Sequence, residues 1–294
     1  MNIFVTGATG FVGTAVIQEL LQAGHHVTGL ARSDAAEQKL KDAGVNVHRG
    51  SLEDTDTLRQ AARAADGIIH LGFIHDFSNF TASAEIDRQA ILAMGSELEG
   101  TDKRILSTSG TLMLTSGKLG TEEDRSSQHS TRHSEAAAEE LFQRGVHSSI
   151  VRLAPTVHGK DDFGFIYTLI QLAREKGFSA YVGDGSNRWS AVHRLDVAVL
   201  FRKAIEQAAG GSTFHGVGES SIPFKTIADV IGRHLNVPVR SITAEQAPEH
   251  FGWINFAASA DTPISSELTQ QRLDWKPVHQ GLMEDLEEGH YFDR

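Results

Sequence analysis

A turn with three regularly spaced glycines carries the clearest chemical signal in this sequence. Within TGATGFVG (6–13), Gly7, Gly10 and Gly13 lie between a short apolar run and a segment of helical periodicity. Gly7 permits a tight turn, Gly10 lets a pyrophosphate approach the backbone, and Gly13 lets the helix pack close to the strand. The N-terminus of that helix offers N–H donors and a partial positive charge to phosphates, so the turn predicts a dinucleotide-binding site. The other residues of the predicted site in this turn are Thr6, Thr9, Phe11 and Val12.

The end of the second apolar run, GLARSD (29–34), bears on which nicotinamide dinucleotide would bind. Sites selective for NAD usually carry an acidic residue here, which accepts a hydrogen bond from the ribose 2′-hydroxyl. This sequence has Arg32 and Ser33 first and Asp34 only afterwards. An arginine can pair with a 2′-phosphate through charge-assisted bonds of ~1.5–3 kcal/mol each, which favours NADP(H) roughly tenfold to hundredfold. We therefore expect NADP(H) to be preferred. Asp34 leaves NAD(H) open, and a solvated surface arginine is the alternative interpretation of Arg32.

Alternating strands and helices must position the glycine turn. Apolar runs of strand length alternate with helical segments of ~10 residues through the first part of the chain. This alternation is typical of a parallel sheet covered by helices on both faces, so we predict a Rossmann-type, doubly wound α/β fold. The predicted strands are 2–7, 25–32, 45–50, 67–72, 104–110 and 148–155, and the predicted helices are 11–24, 34–44, 54–66 and 194–208.

The alternation breaks after Pro155, which indicates a second and smaller lobe. The following residues mix loop, helix and a glycine-rich turn, and 220–242 reads as a helix followed by a strand. Such a lobe would pack over the C-terminal edge of the parallel sheet and close a cleft there. The predicted units are a dinucleotide-binding domain of 1–155 plus about 191–215, and a C-terminal substrate lobe of 156–190 and 216–294.

Composition excludes several classes of function. The net charge of −11 argues against nucleic-acid and anionic-membrane partners, which need a basic surface. The absence of cysteine excludes disulfides and thiol catalysis. None of the 15 histidines lies in a close metal-ligand spacing, and no GxSxG segment occurs, so we expect neither a metal site nor a serine hydrolase. No apolar run approaches the ~20 residues of a membrane span, and a strand is predicted from residue 2, so we expect a cytoplasmic protein.

The TGxxGxxG spacing resembles that of the short-chain dehydrogenase/reductase superfamily, in particular its extended branch of epimerases, dehydratases and 3β-hydroxysteroid-dehydrogenase-like reductases. The resemblance covers essentially the whole chain, since RGSLED (49–54), IIHLG (68–72), LSTSG (106–110), RLAPTVHG (152–159), AVHRLDVA (191–198) and LDWKP (273–277) follow in the family's order. It implies that Ser109 stands where the family keeps a catalytic Ser or Thr. It also implies that Leu52, Leu71, Gly72, Pro155 and Val157 line the cofactor.

The sequence departs from the family at its catalytic Tyr-x-x-x-Lys pair. With Glu139 in register, HSTRHSEAAAEEL (129–141) places Thr131 at the tyrosine position and Glu135 at the lysine position. A threonine hydroxyl titrates far too high to act as the family's general acid. Glu135 cannot supply the cation, although its carboxylate can accept from ribose hydroxyls, and it is also a favourable acid in a helix first turn. A missing general acid costs ~10²–10⁴ in rate, while orientation of the reactants can contribute more.

Three groups of residues offer substitute proton donors. His133 lies in the same segment, and a histidine near neutral pH is a competent acid. Tyr167 lies in the predicted second lobe and could point into the cleft. Ser109 remains a plausible donor to a carbonyl oxygen. His129 is grouped with His133, and Tyr181 with Tyr167. The third group is His75 and Asp76, in the segment after the fourth predicted strand.

The loop VGDGSNRWSAVH (182–193) leaves two interpretations. The resemblance implies that the region of Arg188 contacts the substrate. The alternative is a structured loop stabilised by burial of Trp189.

These observations favour an NADP(H)-dependent oxidoreductase that acts on a carbonyl or hydroxyl group of a small organic substrate, with a non-standard proton donor. A non-catalytic NADP(H)-binding sensor or scaffold is one alternative, because the usual pair is missing. A nucleotide-sugar epimerase or dehydratase is another, because the extended architecture fits it. The resemblance suggests a homodimer, although the extended branch also includes monomers.

Overall fold

The computed structural model describes residues 1–76, 79–127 and 132–293. Its centre is a seven-stranded, wholly parallel sheet in the order β10-β6-β5-β4-β1-β2-β3. Apolar runs such as Phe4-Val5 and Ile68-Ile69 are buried on both faces, as expected of strands covered by helices on each side. The predicted Rossmann-type fold is therefore confirmed. The strands are β1 (Asn2–Thr6), β2 (His26–Ala31), β3 (Asn46–Arg49), β4 (Gly67–His70), β5 (Arg104–Gly110), β6 (His147–Leu153) and β10 (Thr213–Gly216).

Helices cover both faces of this sheet. The helices Asp34–Asp42 and Thr55–Ala64 begin at or next to the predicted residues, because their N-caps are local: Ser33 Oγ accepts from Ala36 N (3.2 Å), and Asp54 Oδ1 accepts from Thr57 N (3.1 Å). The helices of this domain are α1 (Phe11–Gln22), α2 (Asp34–Asp42), α3 (Thr55–Ala64), α4 (Phe80–Ser96), α5 (Ser134–Gln143) and α7 (Arg194–Gln207).

Helix α4 was not predicted, and its packing gives the reason. It lies between α3 and α5 and buries small or polar side chains, including Ser83, Ala84, Asp87 and Ala90. A helix enclosed by two others needs small residues for close approach rather than one stripe of large apolar residues. The periodicity that identifies a surface helix is therefore weak in this segment.

The second lobe is built from two small sheets and short helices, and it contains several strands that sequence periodicity missed. Residues 220–242, predicted as a helix followed by a strand, begin with strand β11 and continue as α8 and β12. Strand β9 pairs with β7 and β11, whereas α7 and β10 belong to the central domain. The elements are β7 (Thr156–His158), α6 (Phe165–Lys176), β8 (Ser179–Val182), β9 (Arg188–His193), β11 (Glu219–Pro223), α8 (Phe224–Leu235), β12 (Val239–Ile242), α9 (Ala247–Phe251), α10 (Asn255–Ala258), α11 (Glu267–Leu273) and α12 (Leu282–Glu287).

Within the described ranges, none of the helices combines the length and the hydropathy that crossing a membrane would require.

Candidate active site

The glycine turn follows β1, which lies between β2 and β4 in the sheet. From β1 the chain adds β2 and β3 on one side and then crosses to add β4, β5 and β6 on the other. Gly7 has φ +66°, and a Cβ there would lie 2.7 Å from Gly72 N. A Cβ on Gly13 would lie 2.1 Å from Gly7 O, so any side chain at Gly13 would displace the turn. Gly10 begins α1, and no described side chain caps that helix or places an acid in its first turn. Free N–H groups at a helix N-terminus fit the phosphates of a dinucleotide.

Thr6 is placed at this turn, but its hydroxyl already has two partners. Thr6 Oγ1 accepts from Gly72 N (3.0 Å) and is hydrogen-bonded to His70 Nδ1 (2.8 Å). On the other side of the imidazole, His70 Nε2 is hydrogen-bonded to Asp87 Oδ1 (3.0 Å), and Asp87 Oδ2 accepts from Ser134 Oγ (2.6 Å). Burial opposes ionisation of Asp87, but the bond to His70 and the charge of Arg132 keep its pKa below the ordinary value. This buried chain joins the ends of β1 and β4 to α4 and α5, and the sequence carried no signal for it.

Leu52, Leu71 and Gly72 meet the turn from the neighbouring strands. A Cβ on Gly72 would lie 3.2 Å from Leu52 Cδ2, and the Leu71 carbonyl carbon would lie 2.8 Å from a Cβ on Gly7. Val157 lies on β7 opposite Val192 of β9. The contacts place Leu52, Leu71 and Gly72 together at the carboxyl ends of β1 and β4.

Arg32 is exposed at the end of β2 and forms no hydrogen bond or ion pair with any residue that the structure describes. The nearby acid is differently placed, because Asp34 Oδ1 lies 3.1 Å from Arg49 Nη2 and its side chain is 99% exposed. The Ser33 hydroxyl caps α2. The end of β2 therefore presents the Arg32 guanidinium to a ligand. Asp34, the carboxylate of the segment 29–34, is paired with Arg49.

Ser109 and Glu135 lie together at the end of β5. The Ser109 side chain is buried, and its hydroxyl lies beside the Glu135 carboxylate. Glu135 forms a bidentate ion pair with Arg152, with Nε–Oε1 at 2.9 Å and Nη2–Oε2 at 2.7 Å. Burial opposes ionisation of Glu135, but Arg152 and the nearby Ser126 and Ser109 hydroxyls hold its pKa below the ordinary value. Glu135 is therefore an ionised carboxylate and not a proton donor near neutral pH.

Arg152 and Arg132 were both missed as site residues. Arg152 follows the buried apolar pair Ile150 and Val151 on β6, and its Nη1 also donates to Asp124 O (2.9 Å). Arg132 donates to Thr108 O (3.0 Å) and to Ser134 Oγ (3.0 Å), and its guanidinium carbon lies 4.5 Å from the centre of the Phe73 ring. Arg132 thus brings a cation to the carboxyl ends of β4 and β5. A charged residue inside a buried apolar pattern was the one available signal, and it marked Arg152 only.

The candidate proton donors are dispersed. His133 Nδ1 lies 3.8 Å from Glu85 Oε2 on α4, and both side chains are partly exposed. Tyr167 is half-buried on α6, and no hydrogen bond joins it to another described residue. Tyr181 lies under Lys225, with Nζ 5.5 Å from the ring centre, and His75 lies against Phe73 in the loop after β4. Thr131 and His129 lie outside the described residues. Their roles stay predictions.

The loop around Arg188 is held internally. Arg188 Nε and Nη2 pair with Asp261 Oδ1 (2.8 Å) and Oδ2 (2.7 Å). Trp189 is fully buried, and its Nε1 donates to Ala257 O (2.8 Å). These contacts support the interpretation of a structured loop stabilised by tryptophan burial.

A family model described as NAD(P)H-binding matches residues 7–207. The chain belongs to this family. It is 47% identical over 295 residues to Uncharacterized protein C2A9.02 of Schizosaccharomyces pombe, covering 99% of this chain and 100% of that protein. It is 27% identical to 4-hydroxy-2-methyl-3-oxo-4-farnesyl-3,4-dihydroquinoline-1-oxide ketoreductase of Stigmatella aurantiaca, over 73% of this chain and 67% of that protein.

The solved structures show the same architecture. UDP-glucose 4-epimerase of Thermotoga maritima has a TM-score of 0.79 and 16% identity, over 100% of this chain and 99% of that chain. The resemblance to the extended short-chain dehydrogenase/reductases is confirmed in family and fold.

Proposed function

We propose that this protein is an NADPH-dependent reductase that acts on a carbonyl group of a small organic substrate. The carrying observation is the Ser109 hydroxyl, which is buried at the carboxyl end of β5 beside the Glu135 carboxylate. A hydroxyl rotates about its C–O bond, so Ser109 could turn its single donor from the carboxylate to a substrate carbonyl oxygen. The ketoreductase relative supports this class of reaction.

The chain's own residues divide the work. Backbone N–H groups of the glycine turn would hold the cofactor phosphates, and Arg32 would pair with the 2′-phosphate. When bound, the cofactor supplies the hydride for the carbonyl carbon. Ser109 donates a hydrogen bond to the carbonyl oxygen, and Arg132 places positive charge near the negative charge that develops there. Glu135 stays ionised on Arg152, so the proton comes from Tyr167 or from water.

Substrate-dependent NADPH oxidation by the purified protein tests this proposal. We expect NADPH to bind more tightly than NADH, and we expect a panel of ketones and aldehydes to contain at least one compound that is reduced. Ser109→Ala is expected to bind NADPH normally and to lose activity. Binding of neither dinucleotide, confirmed by a second method, would contradict the proposal.

A non-catalytic NADP(H)-binding protein is a second candidate, and one observation favours it. The position where the family keeps a cationic lysine is occupied by Glu135, whose carboxylate is paired with Arg152. This position therefore offers no cation to the cofactor. NADPH binding without oxidation across the carbonyl panel would support this candidate. Any substrate-dependent oxidation above a control without protein would count against it.

A further inference from the structure

Three aromatic side chains of the second lobe are exposed to an unusual degree. Phe163 is 66% exposed, Phe256 50% and Trp253 47%. Phe165, which is half-buried, lies between the last two, with its ring centre 5.9 Å from that of Trp253 and 6.0 Å from that of Phe256. We call Phe163, Phe165, Trp253 and Phe256 the aromatic wall. Neighbouring exposed rings of this kind mark binding surfaces, because large apolar groups are otherwise buried.

The wall is held rigidly from behind. Trp253 and Phe256 are three residues apart on one face of a helical segment, whose opposite residues Ile254 and Ala257 are fully buried. Phe165 also lies 5.9 Å from the fully buried Trp189, whose Nε1 donates to Ala257 O. The exposure is therefore a property of a packed surface, and binding there would cost little conformational entropy.

The wall borders the candidate active site at both ends. Phe163 lies 6.2 Å, between ring centres, from Phe11 in the glycine turn. Leu112, three residues after Ser109, and Phe165 both pack against the same buried apolar cluster of the second lobe. The loop after β5 is also tied to the segment that follows α10, since Gly117 N donates to Asp261 O (2.8 Å). The wall therefore adjoins both the glycine turn and the loop that follows Ser109.

Two arginines bear on the kind of ligand that the wall would hold. Arg194 lies over the Phe11 ring, with its guanidinium carbon 5.0 Å from the ring centre, at the end of the wall next to the cofactor turn. Arg188, the residue that the resemblance assigns to substrate contact, is neutralised by its bidentate pair with Asp261. The wall itself offers ring faces and no hydrogen-bond donor other than the Trp253 indole. We propose that the aromatic wall binds the ring of an aromatic carbonyl substrate, so that the substrates are apolar aromatic ketones or aldehydes; this rests on the proposed reductase function.

Tryptophan fluorescence tests the wall directly. Trp189 and Trp275 are fully buried, so Trp253 is the one exposed indole among the three tryptophans, all of which lie in the described ranges. We expect acetophenone to quench Trp253 saturably, and dihydroxyacetone, a polar ketone, to leave it unchanged. Free N-acetyltryptophanamide, which shows only collisional quenching, is the reference. Linear quenching of the protein, equal to that of the reference, would overturn the proposal.

Variants separate binding by the wall from other causes. Phe256→Ala is expected to raise the acetophenone Kd about twofold to tenfold, because one stacking partner is lost. Phe142→Ala, which removes an exposed ring at the far end of α5, is the matched control and should leave the Kd unchanged. If Phe256→Ala does not change the Kd, or if sedimentation shows that Trp253→Ala converts a dimer to a monomer, the wall does not serve the substrate. Saturable quenching without NADPH oxidation would keep the wall and reject the reductase.

Discussion

Replacing Arg32 by alanine tests the cofactor assignment. The structure leaves this guanidinium without a described partner, so the substitution breaks no internal contact and its effect on folding should be small. A charge-assisted pair with a phosphate contributes ~1.5–3 kcal/mol, and exposure places Arg32 at the lower end of that range. We therefore expect the NADPH Kd to rise about tenfold, while the NADH Kd, which involves no 2′-phosphate, stays the same.

Isothermal titration with NADPH and NADH at low and at high salt provides the assay. The preference for NADPH should shrink with salt in the wild type and be absent from Arg32→Ala, because screening and truncation remove the same interaction. Arg49→Ala is the matched control, since Arg49 is already paired with Asp34 and Glu37 and should change the NADPH Kd less. Equal weakening of both dinucleotides in Arg32→Ala, or no weakening of either, would refute the reasoning.

Four further predictions concern the site and the contacts that support it. Ser109→Ala should lower kcat ~10²–10³-fold with little change in NADPH affinity. Tyr167→Phe should lower kcat ~10²–10⁴-fold if the phenol delivers the proton and leave kcat unchanged if water does. Steady-state kinetics with a carbonyl compound that the wild type reduces decide both. Asp87→Ala should lower the free energy of unfolding by ~3–5 kcal/mol, because it strands the buried His70, whereas Glu85→Ala on the same helix should cost almost nothing in a denaturant titration. Burial and the neighbouring histidines lower the pKa of His193 to about 4 in the folded state. The unfolded state, with a histidine pKa of ~6.5, therefore binds this proton first, and the free energy of unfolding should fall as the pH is lowered from 6.5 to 4. His193→Gln should make this fall shallower, and an unchanged dependence of stability on pH would contradict the assigned pKa.

The local patterns were readable because their causes are local. The spacing of Gly7, Gly10 and Gly13 follows from steric limits within one turn, and the structure shows those limits as clashes with Gly72 and with the turn itself. Strands such as β1 and β4 were predicted because each is a short apolar run bounded by a turn residue or a polar residue. Helix α4 was missed because it is enclosed by two helices and lacks a one-sided apolar stripe.

The candidate site depends on partners that are distant in the chain. Glu135 could be read as a helix first-turn acid or as a ribose contact, and only folding brings it to Arg152 on the next strand. His70 and Asp87 lie 17 residues apart and meet because β4 and α4 pack together. Neither pair could be predicted from a regular spacing in the sequence, because the order of the strands and the packing of the helices bring the partners together.

The sequence by itself determined the family, the Rossmann-type sheet and the place of the cofactor turn, because glycine sterics and hydrophobic periodicity act over a few residues. Only the tertiary structure decided which charged side chains are paired within the protein and which are available to a ligand. It leaves Arg32 available, commits Glu135 and Arg188 to internal pairs, and brings Phe165 together with Trp253 from segments nearly ninety residues apart. These outcomes depend on through-space packing and on desolvation, which no local pattern encodes.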